Sequence, residues 1–257
     1  MFVLTTTVDL YQWFFLPELN GARVCTKLVL HYQKRIIMQT KQTIAIIGAT
    51  GNMGSAISKS LSKGNYRLLL RANDRKKLEV LVNEIKIANP SADIEGIGCP
   101  VDASWEADII IAAVPYEAEK AVAEKIREVA NQKIVISIAN PLNETYDGLV
   151  TKPGTSSAEE LQKLLPNSKV VKAFNTTFAA DFSTPVIDGK KADAFIAGSD
   201  EDAIQTVAEV VSTAGFNPIN AGKLSVSGTL ERMQLLMIQL GMKYNYNWLA
   251  GWKILHN

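Results

Sequence analysis

A run of apolar residues that ends in a glycine-spaced turn constrains the fold of this chain most. Residues 43–54 read Thr-Ile-Ala-Ile-Ile-Gly-Ala-Thr-Gly-Asn-Met-Gly. The isoleucines suit a parallel strand that is buried on both faces. In such a turn Gly48 permits the tight reversal, Gly51 lets the backbone approach a pyrophosphate, and Gly54 lets the next helix pack on the strand. That helix, predicted over Ser55–Leu61, would offer unpaired N–H groups to the phosphates. The run therefore predicts a dinucleotide site, and the alternative is an ordinary glycine-rich turn.

Strand-like and helical segments alternate from Lys41 onward, which is typical of βαβ units. The expected fold class is α/β, a doubly wound Rossmann-like parallel sheet with a small C-terminal helical segment. Ligands of such folds bind at the carboxyl ends of the strands. Besides the first strand, the predicted strands are Tyr66–Leu70, Ile94–Ile97, Ala107–Val114, Lys133–Ile138, Lys169–Phe174, Ala192–Gly198 and Phe216–Ile219.

The helix boundaries follow from capping residues and helix breakers. Asn73 or Asp74 is expected to cap a helix that stops before Pro90. Ser157-Ala-Glu-Glu160 has the pattern of a capping box that opens a helix through Leu165. Other helices are predicted over 117–129 and from about Leu224 onward.

Three segments are expected along the chain. Residues 1–37 are interpreted as an extension outside the fold: either the start codon is assigned too early, or the extension is real and is disordered or packed on the surface. Residues 38–222 are expected to form the NADP-binding Rossmann domain. Residues 223–257 form a C-terminal helical segment, interpreted as part of an acceptor site, a dimer contact or simple core packing.

Composition excludes several classes of partner. The net charge is +1 and no basic block stands out, so neither nucleic acid nor an anionic membrane is an expected partner. No run of about 18 uncharged apolar residues occurs, so no membrane span is predicted. Cys25 and Cys99 have neither metal-site spacing nor a disulfide framework, which favours a reducing cytoplasm.

The end of the second predicted strand bears on the choice of cofactor. A carboxylate there would bind the ribose 2′-hydroxyl of NAD, whereas an arginine accommodates the 2′-phosphate of NADP. This strand ends in Leu70-Arg71-Ala72-Asn73. Because the planar guanidinium suits phosphate, Arg71 favours NADP(H). Asp74 leaves NAD as the alternative.

The chain offers few groups for acid–base catalysis. Its only histidines are His31, in the extension, and His256, near the C-terminus, so a catalytic dyad, a triad and a histidine metal site are not expected. Tyr116 and Lys120 match the Tyr-x-x-x-Lys acid pair of short-chain dehydrogenases but directly follow a strand. Tyr116 is instead interpreted as lying beside a nicotinamide pocket walled by Val114 and Pro115. No side-chain acid or base is therefore predicted, which suits hydride exchange between a nicotinamide and a flavin-like ring.

Three segments carry a resemblance to a known family. They are Gly48-Ala-Thr-Gly-Asn-Met-Gly54, Val114-Pro115-Tyr116 and Val170-Val-Lys-Ala-Phe-Asn-Thr176. The chain from about Lys41 to Leu255 resembles the NADP oxidoreductases that depend on the deazaflavin coenzyme F420. The stretch from Ser157 through Thr176 is equally similar to the NADPH domain of six-transmembrane metalloreductases.

The resemblance implies roles for individual residues. It implies a hydride transfer between NADP(H) and F420, with a flavin as another possible co-substrate, in a homodimer. The glycine loop Gly48–Gly54, Ala49 included, would bind the cofactor, with the pyrophosphate at Thr50, Gly51, Asn52 and Met53. The 2′-phosphate would lie at Arg71, Ala72, Asn73 and Lys76. The nicotinamide would lie near Val114, Pro115, Ala139 and Asn175.

Two other functions stay open at this point. One is a redox sensor that binds NADP without turnover, similar to NmrA-like regulators. The other is an imine or ketone reductase of the pyrroline-carboxylate reductase type. That type would need a long helical dimerisation domain, and only about 35 residues follow Gly222.

Overall fold

Strands and helices alternate along residues 41–256, the part of the chain that the computed structural model describes. The strands are β1 (Gln42–Ile47), β2 (Tyr66–Arg71), β3 (Asp93–Gly96), β4 (Ile109–Ala112), β5 (Ile134–Ser137), β6 (Lys169–Lys172), β7 (Val186–Ile187), β8 (Lys190–Lys191), β9 (Asp193–Gly198) and β10 (Asn217–Gly222). The helices are α1 (Asn52–Leu61), α2 (Arg75–Ala88), α3 (Pro100–Glu106), α4 (Tyr116–Ile126), α5 (Ser157–Leu164), α6 (Glu201–Thr213) and α7 (Ser227–Tyr244).

One sheet of eight strands organises the fold, in the order β10-β9-β6-β5-β4-β1-β2-β3. Strands β1 to β6 are all parallel, and β1 lies between β2 and β4. The winding therefore reverses beside β1, which is where doubly wound sheets bind their ligands. The predicted Rossmann-like α/β class is confirmed.

The sheet departs from a fully parallel arrangement at one place. Strand β9 runs antiparallel to β6, whereas β10 is again parallel to β9. The connection from β6 to β9 contains the β7–β8 hairpin and no crossover helix. The chain leaves β6 at the carboxyl edge of the sheet and enters β9 at that same edge, so β9 runs in the opposite direction. The hairpin turns at Asp188-Gly189, which both have positive φ (50° and 69°). Asp-Gly is a strong hairpin signal, so this element was readable from the sequence.

The central strands are buried on both faces, as the isoleucine run predicts. Ile44 and Ile46 pack into the apolar cluster on one face of the sheet, and Ala45 and Ile47 pack into the cluster on the other. Every residue of β4 is also buried. Because burying one such aliphatic side chain stabilises the fold by about 1.5–3 kcal/mol, these strands fix the sheet's centre.

Two helix starts show how local side chains set the boundaries. Asp74 caps α2 by accepting a hydrogen bond from the backbone N–H of Lys77 at 3.0 Å. The predicted box at Ser157 is one residue too late, because Ser156 is the cap of α5. The Ser156 hydroxyl accepts from the N–H of Glu159 (3.2 Å) and donates to its carboxylate (2.8 Å). The Ser157 hydroxyl donates to Glu231 (2.8 Å) and is unavailable for capping.

Other boundaries differ modestly from the expected ones. β6 ends at Lys172 rather than Phe174, because Phe174 adopts a left-handed conformation with φ 59°. The short helix α3 was not predicted, although a proline at its first position was a signal for it. The final helix begins at Ser227, after a 3₁₀ turn over Leu224–Val226.

The end of the chain folds back onto the sheet. The N–H of Asp193, the first residue of β9, donates to the carbonyl of Trp252 at 2.8 Å. Its carboxylate accepts from the N–H of Ile254 (2.6 Å) and from Lys253 Nζ (2.7 Å). These contacts lower the pKa of Asp193 and offset its burial. The predicted extension 1–37 lies outside the described residues, and between 41 and 256 no helix is long and apolar enough to cross a bilayer.

Candidate dinucleotide site

The predicted site residues are distributed along one edge of the sheet. Five neighbouring strands, in the spatial order β2, β1, β4, β5 and β6, each contribute one predicted site residue at or just after their carboxyl ends. In the same order these residues are Arg71, Gly48, Val114, Ala139 and Asn175. With strands about 4.8 Å apart, the four intervals extend over about 19 Å. The topology therefore brings these residues into one row, as a ligand with two nucleotide halves requires.

The glycines of the turn differ in what they make room for. A Cβ on Gly48, whose φ is 92°, would collide with the carbonyl of Ala113 and lie 2.9 Å from Val114 Cγ1. A Cβ on Gly54 would lie 2.9 Å from Ala49 Cα. At Gly51, however, the nearest protein atom would be 3.4 Å away, in ordinary contact. Protein packing thus requires glycine at the first and third positions, whereas the space beside Gly51 suits a ligand.

The first turn of α1 is suited to an anion. Its cap is Gly51, which provides no side-chain hydrogen bond, and the turn contains no acidic residue. The N–H groups of this turn carry the positive end of the helix dipole. Asn52 is exposed, Thr50 is half-buried and Met53 packs against the core. The loop therefore fits a pyrophosphate group by its shape and its charge.

Arg71 is joined to the glycine loop through the backbone. The N–H groups of Gly48 and Ala49 both donate to the carbonyl of Arg71, at 2.8 and 3.0 Å. The Nε of Arg71 is buried and has no hydrogen-bond partner within the described residues. A guanidinium group with an unpartnered nitrogen, next to a loop that suits a pyrophosphate, can bind a further phosphate group such as the 2′-phosphate of NADP.

The basic residues that follow β2 are not equivalent. Arg75 pairs with Glu79 at 3.5 Å, and Lys77 lies 3.9 Å from Asp74. Within residues 41–256, Arg71 and Lys76 form no ion pair. Asp74 is the residue that kept NAD as an alternative cofactor in the sequence analysis. Its carboxylate accepts a hydrogen bond from the first turn of α2.

A cavity of about 520 Å³ opens at the carboxyl ends of β2 and β3, which is within the range of small-molecule sites. Its lining comprises Arg71, Ala72, Asn73, Arg75, Leu78, Glu79, Val82, Asn83, Gly96, Ile97 and Gly98. A larger cavity of about 600 Å³ lies between α6 and β10 and is lined by Glu201 and Glu209. That cavity is acidic and remote from the glycine loop, so the cavity beside Arg71 suits a nucleotide better.

The residues predicted for the nicotinamide form the other half of the row. Val114 contacts the glycine loop, as its approach to Gly48 shows. Asn175 and Asn140 are paired: Asn175 Nδ2 donates to Asn140 Oδ1 (2.9 Å), and Asn140 Nδ2 donates to the carbonyl of Asn175 (2.8 Å). Asn175 Oδ1 is buried and has no partner within the described residues. Phe174, fully buried with its positive φ, sets the direction of this loop.

Tyr116 and Lys120 have different partners. Tyr116 Oη donates to a carboxylate oxygen of Glu160 on α5 at 2.6 Å, whereas Lys120 Nζ lies 3.9 Å from Glu124 and its side chain is largely exposed. Burial and the neighbouring Glu160 raise the pKa of Tyr116 to about 12. The hydroxyl therefore stays protonated and is directed at α5. Pro115 is exposed and is the N-cap residue immediately before α4.

A buried polar cluster lies behind the nicotinamide end and was not predicted. Lys172 Nζ lies 2.8 Å from Glu231 Oε1 and donates to Ser157 Oγ (2.7 Å) and to the carbonyl of Ala139 (2.5 Å). Lys172 interrupts an apolar strand pattern, and a lysine there needs a buried partner. That signal was available in the sequence, but the identity of the partner, 59 residues away, was not.

Glu119 on α4 belongs to the same region. It is almost fully buried and accepts from Ser137 Oγ at 3.1 Å. Burial raises the pKa of Glu119 to about 7, although Lys172 and the Ser137 hydroxyl favour the ionised form. No group of three or more metal-ligating side chains occurs within residues 41–256.

Comparison with known proteins adds to this geometry. The model of the family described as NADP oxidoreductase coenzyme F420-dependent matches residues 43–141. The F420-dependent NADP reductase of Methanocaldococcus jannaschii is 32% identical over 213 residues, which cover 78% of this chain and 93% of that protein. The chain belongs to the F420-dependent NADP oxidoreductase family. The resemblance seen in the sequence is thereby confirmed.

Two further matches show the extent of the family relationship. Metalloreductase STEAP3 of Rattus norvegicus is 30% identical over 106 residues, 41% of this chain and 21% of that protein. A crystal structure assigned as an F420-dependent NADP reductase of Arthrobacter sp. FB24 superposes with a TM-score of 0.71 and 23% identity, covering 83% of this chain and 99% of that one. The latter match supports the fold.

Proposed function

We propose that this protein transfers a hydride between NADP(H) and a deazaflavin of the F420 type. The observation that carries the proposal is the row of Arg71, the glycine loop and Asn175 along one sheet edge, in a chain that aligns with 93% of an F420-dependent NADP reductase. Bound NADPH supplies the hydride, and the proton that completes reduction of the deazaflavin comes from solvent.

The protein's own residues would bind and orient the two rings. The first turn of α1 holds the pyrophosphate, and Arg71 with Lys76 holds the 2′-phosphate. Val114, Pro115, Tyr116, Ala139 and Asn175 would surround the nicotinamide, with the Tyr116 hydroxyl bound to Glu160. A ring-to-ring hydride transfer needs correct distance and orientation more than a side-chain acid.

Helix α7 is proposed as a wall of the acceptor site. One face of it carries the buried Glu231, Gln234, Met237 and Ile238, and the last two pack with Phe178 from the loop after β6. Gln234 Oε1 is buried without a hydrogen-bond partner among the described residues, as is Asn175 Oδ1. Buried polar atoms normally find partners, so these oxygens favour a ligand that donates hydrogen bonds.

A panel of acceptors tests the proposal. The purified protein is given NADPH with F420, FMN, FAD, a ferric chelate or a cyclic imine, and loss of the nicotinamide absorbance is followed. The proposal expects turnover with F420, slower turnover with flavins, and much weaker activity when NADH replaces NADPH. Tight NADPH binding without turnover on any acceptor would favour a redox sensor, and turnover of a cyclic imine alone would favour an imine reductase.

A further inference from the structure

The ion pair between Lys172 and Glu231 is wholly excluded from solvent. Both side chains have an exposed fraction of 0%. In every other ion pair within residues 41–256, at least one side chain is exposed by 32% or more. Replacing a buried ion pair by neutral groups of similar volume often costs no stability, because desolvation offsets the attraction. The pair is therefore a poor source of stability, and its geometry points to another role.

The pair connects three parts of the site. Lys172 ends β6, and its Nζ donates to the carbonyl of Ala139 in the loop after β5. Glu231 lies one turn into α7 and accepts from both the N–H (3.0 Å) and the hydroxyl (2.8 Å) of Ser157, at the start of α5. Ala139 is thus tied to α7 through the Lys172 ammonium group, and also through the Ser157 hydroxyl, which lies 3.3 Å from the same carbonyl and 2.8 Å from Glu231.

We propose that the Lys172–Glu231 pair positions α7 against the loop containing Ala139, and so sets the distance between the hydride acceptor and the nicotinamide. The inference rests on the proposed function, because α7 is taken as a wall of the acceptor site. Both side chains are wholly buried, and both form hydrogen bonds with the residues around them, Lys172 with Ala139 and Glu231 with Ser157. They are positioning residues that act through the loop and the helix.

The double variant Lys172→Met/Glu231→Gln separates positioning from stability. It removes both charges together, and the glutamine keeps an oxygen for Ser157. We expect a melting temperature within a few degrees of wild type and an NADPH affinity within threefold. Single-turnover hydride transfer to F420 should slow by about 10²-fold, the loss that a misplacement of about 1 Å causes. If the double variant folds poorly, Lys172→Gln/Glu231→Gln, which also removes both charges but keeps a hydrogen-bonding group at each position, takes its place.

Lys169→Met is the matched control. Lys169 begins β6 at the opposite edge of the sheet, where it pairs with Asp200 at 3.0 Å. Its replacement removes a lysine from the same strand without touching the loop after β5 or α7. Hydride transfer in this variant should stay within threefold of wild type. A double variant that folds, binds NADPH and transfers hydride as fast as this control would overturn the positioning role.

Hydrogen exchange in α7 keeps this test independent of the acceptor. We expect NADPH to slow exchange of the amides of residues 227–234 in the wild-type protein, and to slow it far less in the double variant at equal saturation. Equal protection in both proteins would refute the coupling. If wild type reduces no F420, the proposed function fails, whereas the exchange measurement still decides whether the pair couples the loop to the helix.

Discussion

At the scale of single residues, we propose that Arg71 carries a preference for NADPH over NADH. Replacing it with alanine should weaken NADPH binding by about 10–100-fold, since hydrogen bonds to a charged group contribute about 1.5–3 kcal/mol. NADH, which lacks the 2′-phosphate, should bind almost unchanged. Calorimetric titration with both nucleotides measures the difference. Arg67→Ala is the control, because Arg67 lies near the start of the same strand, outside the cavity lining, and pairs with Glu95 and Glu106. Equal losses for NADPH and NADH would remove Arg71 from the phosphate site.

Tyr116 tests the absence of a side-chain proton donor. Its hydroxyl is bound to Glu160 and its pKa is raised to about 12, so it is poorly suited to release a proton. Tyr116→Phe should leave single-turnover hydride transfer within about tenfold of wild type. A loss of about 10³-fold, within the usual contribution of general acid catalysis, would show that the tyrosine is an acid.

Glu119 should make stability depend on pH. Its carboxyl has a pKa of about 7 in the folded protein, above its ordinary value, so the folded state binds more protons than the unfolded state over the interval between the two. The stabilising contribution is therefore complete below about pH 4.5 and is lost as the pH rises through 7. Its size is at most about 3 kcal/mol for a shift of this extent.

Glu119→Gln should remove that dependence. Urea unfolding at pH 5 and pH 8 should show a smaller decline in the free energy of unfolding for this variant than for wild type. Glu117→Gln, an exposed neighbour on the same helix, should decline as wild type does. An unchanged decline in the Glu119 variant would mean that this carboxyl does not titrate in the interval.

At the scale of elements, the sequence predicted the strands and turns whose structure depends on neighbouring residues in the chain. The strand–turn–helix around Gly48–Gly54 was predictable because its backbone conformation at Gly48 and its close packing at Gly54 require glycine. The direction of β9 was not, since it depends on how the chain returns after β6. The Lys172–Glu231 pair was hidden for a similar reason, because only the tertiary fold brings α7 to the end of β6. Lys172 alone was visible as a charge within a buried strand.

The cap of α5 shows the limit of a motif read without its surroundings. The sequence analysis took Ser157 as the cap, although Ser156 is also followed by a glutamate three residues later. The fold decides between them, because Glu231 takes the hydroxyl of Ser157. Ser156→Ala should therefore destabilise the protein by about 1 kcal/mol, the usual contribution of a serine cap. Thermal unfolding measures this, and a neutral effect would place the cap elsewhere.

At the scale of the whole molecule, the proposed site extends along most of the sheet edge, and the last helix is its proposed wall. The contacts of Asp193 with Lys253 and Ile254 hold the end of the chain close to that edge. Residues 1–37 contribute to none of the predicted sites. Deleting them should preserve folding and NADPH affinity, as circular dichroism and titration would show. A molten product would refute their interpretation as an extension outside the fold.

Direct transfer of hydride between the two cofactors is the central claim, and isotopic labelling tests it most directly. NADPH deuterated at both C4 positions is mixed with F420 and excess protein in a single turnover, and the reduced deazaflavin is analysed by mass spectrometry. The account predicts one deuterium in the reduced F420 and a slower transfer than with unlabelled NADPH. Reduced F420 that carries only solvent hydrogen, or no reduction at all, would contradict it.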